Sequence, residues 1–307
     1  MRVFLAGASG AVGRPLVRML VEAGHEVVGT TRSEDRAAEL RGDGAEAVVL
    51  DALDADALRT AVVDARPDAI VNQLTDLPRE WSPQMRMGDT GALRSDATRT
   101  LIDAGREVGA PRIVAQSISF VLRPVGDWVK DEDAPTFDPE QATGEFGRAL
   151  RGTLAMERTV VAAGGPVLRS GVFDGPGTWY APGTKLAKRF RRRGFPVIRG
   201  AEGRFSFVHV DDAAAAAALA LERGAPGVYN VVDDEPAPMS DWVPAFAEAV
   251  GAGRPLRVPL WTARLAGKEN AMMAATMRGA SNRKAKRELG WQPRYPSWRQ
   301  GFREGLD

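Results

Sequence analysis

An α/β chain built on one doubly wound parallel sheet, with a smaller α/β lobe at its C-terminal end, is the fold class the sequence predicts. Three observations carry it. Short apolar runs alternate with helical patterns through the first half, the run RVFLA opens into a glycine loop, GASGAVG, and beyond Gly171 prolines break the pattern into short pieces. Each crossover between strands must return over a face of the sheet. Successive strands therefore lie parallel, with helices on both sides.

The spacing predicts strands at residues 2–6, 26–30, 47–50, 69–72 and 112–116, with helices near 11–23, 33–41, 54–65 and 91–108 between them. Leu93, Ala97, Leu101 and Val108 mark the buried stripe of the last helix. Residues 147–160, GRALRGTLAMERTV, predict another helix. There Leu150, Leu154 and Val161 share a face, Glu157 lies on that stripe, and Ala149 and Thr153 sit one turn apart. A strand at 166–169 follows. DDAAAAAALALERG reads as a helix capped by Asp211 or Asp212, and VYNVVD (228–233) as a strand returning to the main sheet. The expected division is a dinucleotide-binding domain over 1–170 and a substrate lobe over 171–307, with 204–233 partly interleaved into the first.

Composition narrows the function. The 307 residues carry 41 basic and 40 acidic side chains, so bulk attraction to nucleic acid or to an anionic membrane is not expected. There is no cysteine, which excludes disulfides, thiolate catalysis and Cys-ligated metals, and fits a cytoplasmic setting. With His25 and His209 as the two histidines, no metal site is expected. No apolar run approaches the roughly 20 residues of a membrane span. The N-terminus reads as a strand entering a loop rather than as a signal peptide. A small-molecule substrate is the expected partner.

The loop places Gly7, Gly10 and Gly13 between a strand and a helix. Gly7 permits the tight turn, Gly10 lets backbone approach a pyrophosphate, and Gly13 allows close packing of helix on strand. Ser9, Ala11 and Val12 complete the cradle, and the helix N-terminus offers N–H donors and a positive dipole end. The second strand ends in Thr30, Thr31 and Arg32, without the carboxylate that would bond a ribose 2′-hydroxyl. A hydroxyl and a guanidinium suit a 2′-phosphate, so Thr31 and Arg32 favour NADP. NAD stays open, since Glu34 or Asp35 could reach a ribose. Asp51, Ala52 and Leu53 follow the third strand beside an adenine, and Gln73, Leu74 and Thr75 follow the fourth along the cofactor path.

These pieces, with LRSDATRTLIDAGREVG, PRIVAQSIS, LRSGVFDGPGT, RFSFVHVDDAAAA, GVYNVVDDEP and NRKAKRELGWQPRYPSWRQGF, resemble the extended short-chain dehydrogenase/reductases, specifically the NAD(P)-dependent epimerase/dehydratase family. The resemblance implies a Rossmann domain that binds the cofactor and a C-terminal lobe that selects the substrate. It also implies a serine or threonine and a YxxxK pair on the helix after the fifth strand. Aligned through Glu157, the lysine position holds Thr153 and the tyrosine position Ala149, so this chain lacks the pair. The resemblance also implies a homodimer through residues 91–108 and 143–163.

Candidates for the missing chemistry follow. Ser117 matches the catalytic hydroxyl and also faces the cofactor, with Ser119 as alternative and substrate contact. Trp179, Tyr180 and Lys185 lie where family members form the substrate pocket, and the Tyr180 phenol is a candidate proton donor. Lys188, Arg189, Arg191, Arg192 and Arg193 form either a solvated helix face or a site for an acidic group. His209 is a further candidate base, and Asp76, Trp81 and Met85 a candidate lid. The leading expectation is an NADP-dependent oxidoreductase or epimerase acting on a small organic substrate with a non-standard acid/base. The alternatives are a non-redox dehydratase, isomerase or cyclase on the same fold, and a non-catalytic NADP sensor.

Overall fold

The computed structural model describes residues 1–82, 86–110, 112–141, 143–261 and 268–307. Its centre is a seven-stranded parallel sheet built from β1 (Arg2–Ala6), β2 (Glu26–Thr31), β3 (Glu46–Val49), β4 (Ala69–Asn72), β5 (Arg112–Ile118), β6 (Pro166–Ser170) and a last strand, Gly227–Val231. The order is last strand, β6, β5, β4, β1, β2, β3. Strand order therefore reverses between β1 and β4, and a crevice opens beyond their carboxyl ends. Helices α1 (Gly13–Glu22), α2 (Glu34–Gly42), α3 (Ala55–Ala65), α4 (Thr98–Glu107) and α5 (Gly144–Ala162) make the crossovers. A helical turn Thr90–Ala92 and a π-helical turn Leu93–Ala97 lead into α4.

Both faces of the sheet are buried, as a parallel sheet requires, and the strands divide their side chains between them with a period of two. Val3 and Leu5 point to one core with Val27, Val71 and Leu168, while Phe4 and Ala6 point to the other with Val28, Ile70 and Ile113. Each fully buried leucine or phenylalanine contributes roughly 1.5–3 kcal/mol. The first core is closed by α6 (Val210–Arg223), whose buried Ala213, Ala214, Ala216, Ala217 and Ala220 let its backbone approach the sheet and α1. Leu150 and Leu154 of α5 pack on Val121, whereas Val161 packs against the sheet, so the expected single stripe is divided between two surfaces.

The cap of α6 differs from expectation. His209 is the N-cap, its Nδ1 accepting from the Asp211 N–H at 3.2 Å. Asp212 lies inside the first turn and its carboxylate accepts the N–H groups of Arg294 (2.6 Å) and Tyr295 (2.9 Å). The Trp291 indole donates to the Asp212 carbonyl at 2.9 Å. The segment LGWQPRYPSW is thereby laced to the helix. Beyond Gly171 an aromatic core of Tyr180, Phe190, Phe207, Trp242, Phe246, Trp298 and Phe302 sits at the carboxyl end of the sheet. Among the described residues no helix is long and apolar enough to cross a membrane.

Candidate dinucleotide and substrate groove

The groove runs from the glycine loop, across the β1–β4 reversal, to the aromatic core. Gly7 adopts φ +85°, and a Cβ there would stand 3.0 Å from the Gln73 carbonyl carbon and oxygen. A Cβ on Gly13 would overlap the Gly7 carbonyl oxygen and lie 2.7 Å from that of Ala8. The loop is pinned from β2, since Thr30 Oγ1 accepts the Gly7 N–H at 3.1 Å and Ser9 Oγ pairs with Thr31 Oγ1 at 2.9 Å. Gly7, Ser9, Gly10, Ala11, Val12 and Gly13 all line the groove where α1 begins. That is a backbone-lined anion cradle at a helix N-terminus.

Next along the groove lies a group of cations. Arg32 lines it and reaches Asp76 Oδ1 at 3.0 Å, and Thr31 beside it leaves the strand end without a carboxylate. Arg36 and Arg79 line the same end, and the Arg36 guanidinium is pushed below its ordinary pKa, first by burial and then by the charges of Arg79 and Arg32. The sequence reading missed both. Arg36 had a signal, a second arginine in the first turn of the helix that follows Arg32, while Arg79 had none. Asp51, Ala52, Gln73, Leu74 and Thr75 line the groove as well. Leu53 does not: its N–H turns back onto Asp51 Oδ1 and its side chain is exposed outside the groove. Gln73 Oε1 is buried without a partner. An orphaned acceptor beside a glycine cradle fits the hydroxyl and amide donors of a dinucleotide.

At the reaction end several expectations are corrected. Ser117 is fully buried and donates to Glu157 Oε1 at 2.6 Å. Its neighbour across the strands, Arg169, forks onto the same carboxylate from Nε (2.9 Å) and Nη2 (2.7 Å). Alternation along β5 then turns Gln116 and Ile118 to the groove and Ser117 away from it. Ser119 is buried behind the wall in a short 3₁₀ turn. His209 is buried with both ring nitrogens engaged, Nδ1 at its cap and Nε2 donating to the Gly305 carbonyl at 2.7 Å, so it fastens the chain rather than acting as a base. Lys185 is exposed off the groove, its backbone N–H bonded to Glu80 Oε2 at 2.8 Å.

Tyr180 borders the groove but belongs to the aromatic core, stacked on Phe302 at 5.6 Å and edge-on to Phe246 at 4.9 Å. Burial first, and the charge of Asp174 second, push its phenol above the usual tyrosine range, making it a weaker acid. Tyr180→Phe is therefore expected to leave turnover nearly intact, whereas removing a working general acid would cost about 10²–10⁴-fold. Steady-state kinetics of the variant decide it, and a loss in that range overturns the packing role.

Trp179, Trp81, Phe195, Phe205 and Trp242 do line the groove. The Trp179 indole is held by the Pro78 carbonyl at 2.8 Å, and Arg189 of the basic cluster lies 5.4 Å from the Trp81 ring centre. Asp76 sits at the rim with Arg32, and Met85 falls outside the described residues. Thr153 and Ala149 are buried at the YxxxK positions. The Thr153 hydroxyl donates to the Ala149 carbonyl at 2.8 Å and accepts from Arg94 Nη1 at 2.7 Å. Arg94, which the sequence reading passed over, lines the groove while almost wholly buried. Its signal was a charge set between Leu93 and Ala97 on an apolar stripe.

Comparisons with known proteins agree with this geometry. The model of the NAD dependent epimerase/dehydratase family matches residues 3–231. A 3-diazoavenalumate denitrifying reductase of a Streptomyces species is 42% identical over 307 residues, covering 98% of this chain and 99% of that protein. A 2-alkyl-3-oxoalkanoate reductase of Stenotrophomonas maltophilia is 28% identical over 83% of this chain and 77% of its own length. Among solved structures, a UDP-glucose 4-epimerase of Thermotoga maritima superposes with a TM-score of 0.78 at 17% identity, covering 100% of this chain and 97% of that one. The glycine cradle, the reversal of strand order and the family match over most of the length together establish that the chain belongs to the NAD dependent epimerase/dehydratase family, as an oxidoreductase- or epimerase-like enzyme on a Rossmann-type sheet.

Proposed function

We propose that the chain is an NADPH-dependent reductase that delivers a hydride to an electrophilic aromatic acid, with an arene diazonium as the acceptor. The observation that carries this reading is the loss of the usual acid/base set: Ala149 and Thr153 stand where the family resemblance places a phenol and an ammonium, and Ser117, at the hydroxyl position, is turned onto Glu157. Reduction of a ketone leaves an alkoxide that must be protonated, and among the described residues Ala149 and Thr153 supply no phenol or ammonium to do it. A diazonium needs none. Hydride added to its terminal nitrogen gives a neutral diazene. Loss of dinitrogen then breaks the carbon–nitrogen bond, and the diazene hydrogen ends on the ring carbon as the dinucleotide leaves oxidised.

When bound, the dinucleotide supplies that hydride. Gly7, Gly10 and Gly13 would cradle its pyrophosphate, and Arg32, Arg36 and Arg79 would receive a 2′-phosphate, which supports NADP over NAD. Gln73 and Thr75 would orient the end that reacts. Trp179, Trp81 and Phe205 would hold an aromatic ring and exclude water. Denitrifying reduction is the named activity of the 42% identical relative, and both reductases reported above are named for carboxylate substrates, which supports an acidic acceptor.

The test is an incubation of the purified chain with a diazotised aminocinnamate and NADPH carrying deuterium at the transferable position. The expected result is dinitrogen release with deuterium on the former diazo carbon, and a lower KM for NADPH than for NADH. NADPH left unconsumed, or a label-free arene, overturns the reading.

A further inference from the structure

Resting on the reading of the substrate as an aromatic acid, we propose that Arg94 is the carboxylate receptor of the groove, a buried guanidinium whose Nε–Nη2 edge takes the acid group while the ring lies among the aromatic side chains. Several observations meet on this residue. It stands in the π-helical turn Leu93–Ala97, where one extra residue in the turn re-aims a side chain that a regular helix would keep on its packing stripe. It is 2% exposed and yet lines the groove. Nη1 is committed to Thr153 Oγ1, whose own proton goes to the Ala149 carbonyl, and Nε has no partner.

The carboxylate whose charge acts on Arg94 is Glu157, and both Glu157 oxygens are already bound by Ser117 and Arg169. Among the described residues Arg94 is thus a buried cation without an ion pair. Burial pushes its pKa down to about 10, which still leaves it charged at neutral pH. A buried charge in that condition is costly, and a carboxylate on the free edge offsets the cost through a two-pronged, charge-assisted pair.

The other described arginines of the groove are less suited: Arg18 faces Asp43 at 3.7 Å, and Arg123 is exposed and keeps its hydration. Arg32, Arg36 and Arg79 sit at the far, glycine-loop end, and Arg14 is held by Glu39 and Asp43. Arg189 donates Nε to the Gly194 carbonyl in an exposed setting. The groove that Arg94 lines also presents Leu93, Ile118, Phe120 and Phe146, apolar surface suited to an aryl or arylalkenyl body. One consequence is that a neutral analogue of the same shape gains that apolar surface but leaves the guanidinium unpaired.

The experiment titrates cinnamate and cinnamamide into the full chain saturated with NADPH, following fluorescence. Cinnamate is expected to bind more tightly than the amide. Arg94→Gln should weaken cinnamate by about a hundredfold. It should leave the amide and NADPH unchanged, and Arg94→Lys should restore part of the loss. Equal weakening of acid and amide, or a matching loss of NADPH affinity, overturns the proposal; the second result would place Arg94 on the cofactor. Should Arg94→Gln fail to fold, the wild-type Arg94 Nε–H resonance serves instead. It should shift with cinnamate and not with cinnamamide, and absence of that difference is equally fatal. Neither readout involves hydride transfer, so a chain that binds cinnamate in this way but reduces no diazonium would defeat the reductase reading alone.

Discussion

Glu157→Ala is expected to cost about 3–5 kcal/mol of folding stability, because it strands the buried Arg169 guanidinium without a counter-charge. Both carboxylate oxygens are in use, Oε1 by Ser117 at 2.6 Å and Arg169 Nε at 2.9 Å, and Oε2 by Arg169 Nη2 at 2.7 Å. The side chains of the ion pair are only 5% and 7% exposed, so water cannot replace the lost partner. The Arg59–Glu107 pair makes the comparison sharp. It also engages both carboxylate oxygens, from Nη2 alone at 2.7 and 2.6 Å, but its side chains are 54% and 44% exposed. Glu107→Ala should therefore cost no more than about 1 kcal/mol. Urea unfolding of the two variants measures both. A Glu157→Ala loss no larger than that of Glu107→Ala would show that burial does not govern this site.

Gly13→Val is expected to weaken dinucleotide binding by at least about 100-fold, the scale of loss when a positioning element shifts by an ångström. The first atom added already overlaps the Gly7 carbonyl and crowds that of Ala8, and both obstacles are backbone. The loop must move off the start of α1, taking its N–H donors with it. Overpacking adds roughly 1–3 kcal/mol of destabilisation. Gly42→Ala is the control, because a Cβ at the end of α2 meets nothing within 4 Å. Fluorescence titration with NADPH reads both variants, and near-normal binding by Gly13→Val would contradict the close approach of helix and loop.

Much of the sheet was legible because its signal is local. The runs over 2–6 and 69–72 coincide with β1 and β4, and β5 differs only in running on to Ile118. The glycine loop was legible for the same reason, since a strand, a turn and a helix start are neighbours in sequence. Side-chain direction at the reaction end was not. Ser117 and Ile118 are adjacent, and which of them meets the groove depends on the register of β5 against β6 and on where Glu157 lands from α5. Tyr180 and His209 read as chemical groups until the folded chain surrounds them, one with aromatic rings and the other with two backbone partners. Arg94 showed only as a charge beside an apolar stripe, and its aim into the groove was not legible because the expectation for residues 91–108 assumed a regular helical repeat. Leu53 failed through an Asp51 turn that carries the chain away from the groove.

The lacing of LGWQPRYPSW onto α6 has a consequence for how the protein is made. Asp212 and its partner Arg294 are 82 residues apart, and Trp298 and Phe302 cover Phe207 from the same late segment. A ribosome that has just made the last strand of the central sheet therefore still holds a chain in which one end of the aromatic core has no cover. Closure of such distant contacts is the slow part of folding. The interval between synthesis of α6 and emergence of residues 291–302 is when the nascent chain is most exposed to aggregation and to proteases.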